Sequence, residues 1–167
     1  MMAAHRDTCT AAGLIKALRL KKHPEGGYFR EVFRSDETIP KRVLPSRYSG
    51  GRRFATSIYY LLPAGEVSRF HVLKSDETWF FHTGCPLSVH SIAPDGTYTR
   101  TQLGRGRFQF TVRRGHCFGA TVDATKGYSL VSCVVAPGFD FQDFSLVPRK
   151  RLVDLCGRKK IVLLLTK

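Results

Sequence analysis

No part of this chain is apolar enough to cross a membrane. A transmembrane helix needs ~18 to 20 consecutive apolar residues, and the sequence contains no such run. Residues 1–13 also lack the apolar core of a secretory signal. We therefore predict a soluble protein with a cytoplasmic, intracellular location and no membrane partner.

Paired cysteines are missing as well. The chain has five cysteines, an odd number, and none of them belongs to a CxxC pair. This pattern argues against a disulfide framework and against a zinc knuckle. We expect most of the cysteines to be small buried side chains in a reducing compartment.

Acidic residues are scarce. The chain has 13 Asp and Glu against 27 Lys and Arg, which gives a formal net charge of +14. Such a charge suggests a nucleic acid or an acidic protein as partner. The basic residues are, however, spread over separate groups at 16–22, 47–53, 105–114 and 149–160, as on a solvated surface. We therefore expect nucleic-acid binding to be weak and non-specific.

The chain does have enough apolar sequence for one domain. Of its 167 residues, 43% are hydrophobic, which suffices for a single packed core. Helical spacing covers 11–20, and the short β-rich runs that follow, separated by glycine and proline, are typical of an antiparallel sandwich or barrel. The predicted strands are 28–34, 54–62, 67–73, 78–82, 87–92, 97–103, 108–112, 117–121, 128–135 and 139–146.

Three segments are expected along the chain. Residues 1–12 are predicted to be disordered, and 13–148 to form the barrel. The basic tail 149–167 shows no clear pattern, except that 161–165 could form an added strand or exchange between subunits.

One spacing matches a known motif. Gly65, His71, Glu77 and Gly84 have the order and the intervals of the first motif of cupin β-barrels, except that Leu73 occupies the position of the second histidine. The resemblance to cupins implies a double-stranded β-helix, or jelly-roll, barrel. It also implies a metal site built from three histidines and one glutamate.

Two of these four metal ligands are absent from the sequence. The later cupin motif matches 113–118, so Phe118, which is expected to line the pocket, stands where the third histidine would be. His71 and Glu77 alone make a weak site, because a catalytic transition metal usually has about three protein ligands. We therefore predict no metal and no other cofactor. The alternative is a metal site completed by one of four other side chains, His82, His90, His116 or Cys117.

Further blocks extend the resemblance. HPEGGYFRE at 23–31, SDETW at 75–79 and PGFDF at 137–141 resemble, in this order, an uncharacterised cupin family. Members of that family look like single-domain, often dimeric barrels with no assigned catalytic activity. The resemblance covers 14–146 and implies an all-β cupin fold with a short N-terminal helix, together with a homodimer.

Strand alternation gives a first set of candidate site residues. It places Arg69 and His71 on one face of their strand, and Glu77, Trp79 and Phe81 on one face of the next strand. His71 and Glu77 are the predicted acid and base, because histidine exchanges protons near neutral pH. Trp79 and Phe81 are expected to stack on a ligand, and Arg69 to meet its negative group.

The first family block and two tyrosines supply a second set. Glu25, Tyr28 and Arg30 lie where a strand enters the barrel mouth, and they are expected to point at the ligand from there. Tyr60 and Tyr128 are candidates for a proton donor. This last assignment is an analogy with the metal-independent sugar-nucleotide 3,5-epimerases of the cupin fold, in which a histidine removes a proton and a tyrosine supplies one.

The leading prediction is a small-molecule-binding cupin of unassigned activity that acts as a metal-independent isomerase or epimerase on a polar or anionic sugar or sugar nucleotide. Three alternatives stay open: a purely structural pair of His71 and Glu77, a metal-dependent, dioxygenase-like enzyme, and a non-catalytic module whose basic surface binds RNA or acidic partners. Alternation also indicates that Phe139, Phe141 and Phe144 cannot share one face, so some are expected in the core and some in a dimer interface.

Overall fold

The structure is a computed structural model that describes residues 10–156. It begins with helix α1 (Ala11–Ala17), and the Thr10 hydroxyl caps this helix by accepting a hydrogen bond of 3.0 Å from the Gly13 N–H. The helix ends before Arg19, whose φ of 52° leaves the helical region. It is therefore shorter than the predicted 11–20.

Short strands make up most of the remaining described chain. They are β1 (Lys21–Lys22), β2 (Tyr28–Arg34), β3 (Thr38–Ile39), β4 (Arg52–Arg53), β5 (Thr56–Pro63), β6 (Val67–Leu73), β7 (Asp76–Gly84), β8 (Leu87–Ile92), β9 (Tyr98–Leu103), β10 (Gln109–Val112), β11 (Cys117–Val122), β12 (Tyr128–Ala136) and β13 (Phe144–Leu146). Single 3-10 turns lie at Lys41–Val43 and Phe141–Asp143, and helix α2 (Arg149–Cys156) follows the last strand.

Two antiparallel sheets form the barrel. The strand order is β1-β2-β5-β12-β7-β10 in the larger sheet and β13-β6-β11-β8-β9 in the smaller one, while β3 and β4 pair separately. Strands that follow each other in sequence repeatedly change sheet, as in a jelly roll. The predicted all-β barrel with a short N-terminal helix is confirmed. No helix within residues 10–156 is long and apolar enough to span a membrane.

The main core lies between the two sheets, where side chains such as Trp79, Leu87 and Val131 are buried. Helix α1 packs against Leu61 and Leu130, which belong to a separate cluster on the larger sheet. Leu152 of α2 is fully buried in a third cluster on the smaller sheet. Each sheet is therefore covered by a helix on its outer face, and the inter-sheet space near β2 and β13 holds the site described below.

A β-bulge in β6 breaks the alternation of that strand. Phe118 pairs with His71, and Ala120 pairs with Ser68. Arg69 and Phe70 of β6 therefore both lie opposite the single β11 residue that separates Phe118 from Ala120. That residue is Gly119, and a Cβ on it would overlap the Ser68 carbonyl oxygen. The bulge consequently requires glycine at this position.

The C-terminal part of the barrel differs from the prediction in two places. The predicted strand 139–146 begins only at Phe144, because a 3-10 turn occupies Phe141–Asp143. The Asp140 carboxylate holds this turn by accepting a hydrogen bond of 2.9 Å from the Gln142 N–H. In the tail, for which no pattern was predicted, Arg149–Cys156 form helix α2. The added strand proposed at 161–165 lies outside the described residues, as do residues 1–9 of the segment predicted to be disordered.

We predict that Gly119→Ala lowers the free energy of unfolding by about 1 to 3 kcal/mol, because the new methyl group meets backbone atoms on both sides of the bulge. Urea denaturation measures the change. Gly50→Ala is the matched control, since a Cβ there meets only the end of the Arg52 side chain at 3.5 Å. Equal stability of the two variants would contradict the role assigned to Gly119.

Candidate active site

A cavity of about 210 Å³ opens at one end of the inter-sheet space. It is smaller than the ~300 to 1,000 Å³ of pockets for drug-sized ligands. Strands β2, β5, β6, β7, β12 and β13 contribute to it, together with the segments before β2 and before β13. The lining residues are His23, Glu25, Phe29, Glu31, Arg34, Thr56, Ile58, Tyr60, His71, Leu73, Glu77, Trp79, Cys133, Val135, Phe139, Asp140, Phe141 and Phe144.

His71 is held in one orientation by its backbone and by aromatic rings. It is only 2% exposed, and its Nδ1 lies 2.8 Å from the carbonyl oxygen of Arg69. Its ring packs on Phe118, at 4.1 Å between centroids, and on Phe144, at 5.2 Å. Since a carbonyl only accepts, Nδ1 carries a hydrogen, and in the neutral ring Nε2 is the basic nitrogen.

Glu25 is a buried carboxylate next to this histidine. Its Oε1 accepts a hydrogen bond of 2.8 Å from the Ser68 hydroxyl, and its Oε2 lies 3.3 Å from Nδ1 of His71. The bulge makes this possible, because it turns Ser68 and His71 to the same side of β6. Glu25 therefore contacts two residues of β6 from a segment outside the strand.

His23 also lies near Glu25, but it does not form an ion pair with it. Its Nδ1 accepts the N–H of Glu25 at 3.3 Å, so this nitrogen carries no hydrogen. Burial lowers the pKa of His23, which keeps its ring neutral. The 3.5 Å approach of Nδ1 to the Glu25 carboxylate is therefore a contact without charge attraction. The His23 ring is packed edge-on against Phe29, at 4.5 Å.

Glu77 is a carboxyl group that holds its proton at neutral pH. Burial, with a further contribution from the negative charge of Glu25, raises the pKa of Glu77 from the ordinary 4.5 to about 8. Its Oε2 accepts a hydrogen bond of 2.9 Å from Nε1 of Trp79. Because Oε2 accepts, the acidic proton belongs on Oε1.

Tyr60 and Cys133 complete the inner wall as neutral groups. The Tyr60 hydroxyl donates to the carbonyl oxygen of Gly26 at 2.9 Å. Burial, reinforced by Glu25, raises the pKa of Tyr60 and that of the Cys133 thiol. Gly26 has a φ of 112°, and a Cβ on it would overlap the Val67 carbonyl oxygen, so the glycine of the first family block is required for this close approach.

The mouth of the cavity carries an ion pair and exposed aromatic rings. Nε and Nη2 of Arg34 donate to the two carboxylate oxygens of Glu31 at 2.9 and 2.6 Å. A bulge at Val32 brings these two side chains to the same side of β2. Glu31 pairs with Ile58, whereas Phe33, two residues later, pairs with Ser57, the residue adjacent to Ile58 on β5. Phe141, 57% exposed, lies at the rim.

Comparison with known proteins identifies the fold family. The chain matches the family model described as Cupin superfamily (DUF985) over residues 12–147. The chain belongs to this family. This confirms the resemblance to an uncharacterised cupin family that the sequence blocks indicated.

Relatives of this cupin are themselves uncharacterised. A protein of Saccharomyces cerevisiae, described as uncharacterised, is 32% identical over 163 residues, which cover 88% of this chain and 80% of that protein. A solved structure from Shewanella oneidensis is 40% identical with a TM-score of 0.83, covering 95% of this chain and 98% of that chain. A hypothetical protein from Leishmania major is 38% identical with a TM-score of 0.81, covering 92% and 96%.

Better-known cupins share only the fold. Oxalate decarboxylase from Bacillus subtilis is 17% identical, with a TM-score of 0.55, and the match covers 86% of this chain and 36% of that enzyme. At this distance the similarity extends to the barrel and to nothing finer. The chemistry of this cupin has to be argued from its own side chains.

Five of the predicted site residues line the cavity. They are Glu25, Tyr60, His71, Glu77 and Trp79. Motif spacing and alternation on β7 identified His71, Glu77 and Trp79 correctly as neighbours. Glu25 lies deep beside His71, where it is 6% exposed, instead of pointing at a ligand from the mouth.

Three predicted ligand contacts lie elsewhere because the wrong strand face was chosen. Arg69 is turned away by the bulge, and its guanidinium donates to the carbonyl of Pro24. Tyr28 and Arg30 occupy the opposite face of β2 from the lining residue Phe29. Tyr28 instead contacts the Lys22 ammonium, whose nitrogen is 4.1 Å from the ring centroid.

Three further candidates belong to the protein's packing. Phe81 packs on the main core next to Gly104, away from the cavity. Phe118 is 1% exposed and packs against the His71 ring. Tyr128 lies in the cluster that α1 covers, so it is not the proton donor that the epimerase analogy suggested.

Sequence reasoning missed one half of the cavity. Phe139, Phe141 and Phe144 all line it, although simple alternation excluded a shared face, because the 3-10 turn resets the direction of the chain. His23, Phe29, Glu31, Arg34 and Asp140 were not predicted either. The family blocks at 23–31 and 137–141 were the available signal, since the missed residues lie in or beside them.

The donor set does not fit the metal site that cupins usually have. Leu73 lines the cavity at one ligand position, and Phe118 stands at another. Within residues 10–156 no three or more His, Cys, Asp or Glu side chains are arranged to hold a metal ion. None of the four side chains considered as replacements, His82, His90, His116 and Cys117, lines the cavity.

We expect protein purified without added metal to contain well below one equivalent of Fe, Mn, Ni or Zn, because Leu73 and Phe118 replace two ligands of the cupin metal site. Elemental analysis after dialysis measures this. A stoichiometric metal that survives dialysis would contradict the donor-set argument and favour the dioxygenase-like alternative.

We predict a pH-dependent stability difference for Glu77→Gln. Between about pH 4.5 and 8 the folded protein keeps the Glu77 proton while the unfolded chain releases it, so the wild type loses stability as the pH rises. The variant lacks this loss. Its unfolding free energy relative to wild type should therefore rise from pH 5 to pH 8, by on the order of a few kcal/mol.

Urea unfolding at several pH values measures this difference. Glu37→Gln removes an exposed carboxyl group and is the matched control. If the two variants follow the same pH trend, Glu77 does not hold a buried proton.

Proposed function

We propose that this cupin binds a small molecule in its barrel and moves a proton within it without a metal, as isomerases and epimerases do. One observation carries the proposal: a histidine and a carboxyl group that holds its proton line the same aromatic cavity, and both are more than nine-tenths buried. A ring nitrogen that can accept a proton and a carboxyl group that can donate one, both facing the same cavity, are the two groups that acid–base catalysis requires.

His71 is suited to be the base. With Nδ1 bound to a carbonyl oxygen, Nε2 is free to take a proton from a carbon next to a ligand carbonyl. The imidazolium that forms is stabilised by the Glu25 carboxylate, whose Oε2 lies 3.3 Å from Nδ1. Glu25 thus acts as a positioning residue, holding the ring and balancing its charge.

Glu77 is suited to be the acid. Its proton, placed on Oε1, can pass to the carbonyl oxygen as the carbon loses its own proton, which gives a neutral enol. In an α-hydroxy carbonyl compound this enol is an enediol. Return of the His71 proton to the former carbonyl carbon, with transfer of the proton of the neighbouring hydroxyl group to Glu77, completes an isomerisation that leaves both groups in their starting protonation states. Trp79 keeps Oε2 occupied, so that the carboxyl group presents its protonated oxygen to the ligand.

Tyr60 does not fill the acid role that the sequence suggested for a tyrosine. Its hydroxyl hydrogen is engaged by the Gly26 carbonyl, and the raised pKa of Tyr60 opposes ionisation. Its ring forms part of the cavity wall, 5.8 Å from Trp79. The rings exclude water, which strengthens the electrostatic interactions inside the cavity.

The alternatives are less well supported by the geometry. A dioxygenase-like reaction needs metal ligands that this cavity does not offer within the described residues. A binding module for RNA or acidic partners has the +14 charge in its favour, but no groove of aromatic and basic side chains that carries it is evident in the described part of the chain. The homodimer, the cytoplasmic location and the weak nucleic-acid binding remain predictions.

Hydrogen exchange tests the proposal without knowledge of the product. Small aldehydes, ketones and ketoses are incubated with the protein in D₂O, and deuterium at the carbon next to the carbonyl is followed by NMR. We expect at least one compound to exchange, with His71→Gln and Glu77→Gln each lowering the rate by about 100-fold or more. Both substitutions preserve the approximate shape of the cavity.

Tyr128→Phe is the matched control, because Tyr128 lies outside the cavity and its loss should leave the exchange rate unchanged. Binding without exchange would overturn the catalytic proposal and favour a ligand-binding role. Exchange that survives in both His71→Gln and Glu77→Gln would show that other groups transfer the proton.

A further inference from the structure

Two histidines line the cavity, and they carry their hydrogens on opposite ring nitrogens. Nδ1 of His71 donates to the carbonyl oxygen of Arg69 at 2.8 Å, which leaves Nε2 of that neutral ring as an acceptor. Nδ1 of His23 accepts the Glu25 N–H at 3.3 Å, which puts the hydrogen of that ring on Nε2. One cavity therefore contains an imidazole that can accept a proton and an imidazole that can donate a hydrogen bond.

The ring N–H of His23 opens into the cavity. Within residues 10–156 every enclosed side-chain nitrogen or oxygen atom has a hydrogen-bond partner, whereas no described residue accepts the hydrogen on Nε2 of His23. This nitrogen is therefore not enclosed by protein atoms. The ring packs edge-on against Phe29, Tyr60 and Phe144, which all line the cavity, with centroids 4.5, 6.1 and 6.0 Å away. A ligand in the cavity is thus the partner that remains for this N–H.

Burial keeps this donor uncharged. It lowers the pKa of His23, while the carboxylate of Glu25 opposes the shift and His71 adds to it. A neutral imidazole can polarise an oxygen atom through a hydrogen bond and still keep its own hydrogen. His23 is therefore suited to be an electrophile and not a second acid.

His23 and Glu77 together give the cavity two donors beside one base. Glu77 carries its proton on Oε1, because Oε2 accepts from Trp79. A simple ketone has one oxygen atom for these donors, and a donor left unpaired in a site without water is unfavourable. An α-hydroxy carbonyl compound has two oxygen atoms on neighbouring carbons, and the carbon that bears the hydroxyl group also carries the acidic hydrogen that a base removes.

We propose that the substrates of this cavity are small α-hydroxy carbonyl compounds, such as short aldoses and ketoses, and that His23 is a third catalytic residue, which donates from Nε2 to the hydroxyl oxygen. This inference rests on the proposed function, because it names the substrate class of the same acid–base pair and adds a residue to it. It includes no anionic group on the substrate, since Arg69 and Arg30, the contacts predicted for such a group, lie outside the cavity.

The reaction begins at the carbon that bears the hydroxyl group. Nε2 of His71 removes the hydrogen of this carbon as a proton, the bonding electrons become the C=C bond of an enediol, and the carbonyl oxygen takes the proton of Glu77. The Glu77 carboxylate then takes the proton of the original hydroxyl group, and His71 returns its proton to the former carbonyl carbon. His23 keeps its hydrogen and donates to the same oxygen before and after that oxygen becomes the carbonyl oxygen.

Two probes of nearly equal shape test the recognition of a second oxygen atom. Acetohydroxamic acid has a carbonyl and a hydroxyl oxygen on neighbouring atoms of a planar unit, as an enediol does, and N-methylacetamide has a methyl group in place of the hydroxyl. Isothermal titration calorimetry with the full chain in EDTA, which removes metal ions that a hydroxamate would bind, should show acetohydroxamic acid binding about tenfold more tightly. Equal affinities, tighter binding of N-methylacetamide or no binding of acetohydroxamic acid would overturn the inference.

Two substitutions separate the donor role of His23 from a structural role. His23→Asn keeps an acceptor near Nδ1 for the Glu25 N–H but has no donor at the position of Nε2, so the tenfold preference should fall to about twofold or less. His23→Gln places an N–H donor at that position and should keep a preference of about fivefold. The readout is the ratio of the two affinities within one variant, which a general loss of stability does not change. Equal ratios in the two variants, or a ratio lost only in His23→Gln, would contradict the donor role.

His82→Asn is the matched control, because this exposed histidine of β7 lies outside the cavity. Its ratio of affinities should equal that of the wild type. A ratio lowered as much as in His23→Asn would show that the effect does not come from the cavity and would reject the assignment of His23.

Deuterium exchange of hydroxyacetone and butanone, a second pair that differs by a hydroxyl and a methyl group, distinguishes the two proposals. Each rate is divided by the rate in imidazole buffer without protein, and we expect the quotient for hydroxyacetone to be at least about tenfold larger. Equal quotients would reject the substrate class and leave the acid–base pair in place. Selective binding of acetohydroxamic acid without exchange in any carbonyl compound would reject the proton transfer and leave the recognition of two oxygen atoms in place.

Discussion

The bulge of β6 opposite Gly119 is the constraint on which the site depends. In a regular strand Ser68 and His71 would lie on opposite faces, and Glu25 could reach only one of them. Because Arg69 and Phe70 share a single partner, both polar side chains turn towards Glu25. A glycine is necessary on β11, since any Cβ would overlap the backbone of β6 there. The absence of a side chain at Gly119 on β11 thus determines the direction of Ser68 and His71 on β6.

Glu25 then links the two halves of the proposed chemistry. Its Oε2 lies 3.3 Å from Nδ1 of His71, and its negative charge contributes to the raised pKa of Glu77. A single buried anion therefore contacts the proposed base and helps to keep the proton on the proposed acid. Burial strengthens both effects, because the aromatic walls keep the local dielectric low. In the proposed reaction, this arrangement supplies an acid and a base from the chain's own side chains.

Much of the fold could be predicted from the sequence, because the turn residues and the alternation of β-rich runs are local signals. Strands β2, β6 and β8 begin and end where they were expected. The motif spacing likewise identified His71 and Glu77. Some of the errors have a common cause: the bulge in β6 and the 3-10 turn after Asp140 each shift the alternation by a residue, which reverses the inferences about faces beyond that point. Arg69 and Phe141 were misplaced for this reason. The propensity of a single residue does not reveal a bulge, since what enforces it is contact with a distant strand.

The same distinction between local and distant information applies to charge. The net charge of +14 is a property of the whole composition, and it suggested a nucleic acid or an acidic protein as partner. At physiological ionic strength, exposed charges are screened within about 8 Å, so a molecule inside a barrel interacts mainly with the groups that line it. Those groups are mostly aromatic and apolar here, and the one guanidinium among them already has a carboxylate partner. A basic surface is therefore compatible with a cavity whose walls carry no excess of positive charge. The chemistry of the ligand follows from the second and not from the first.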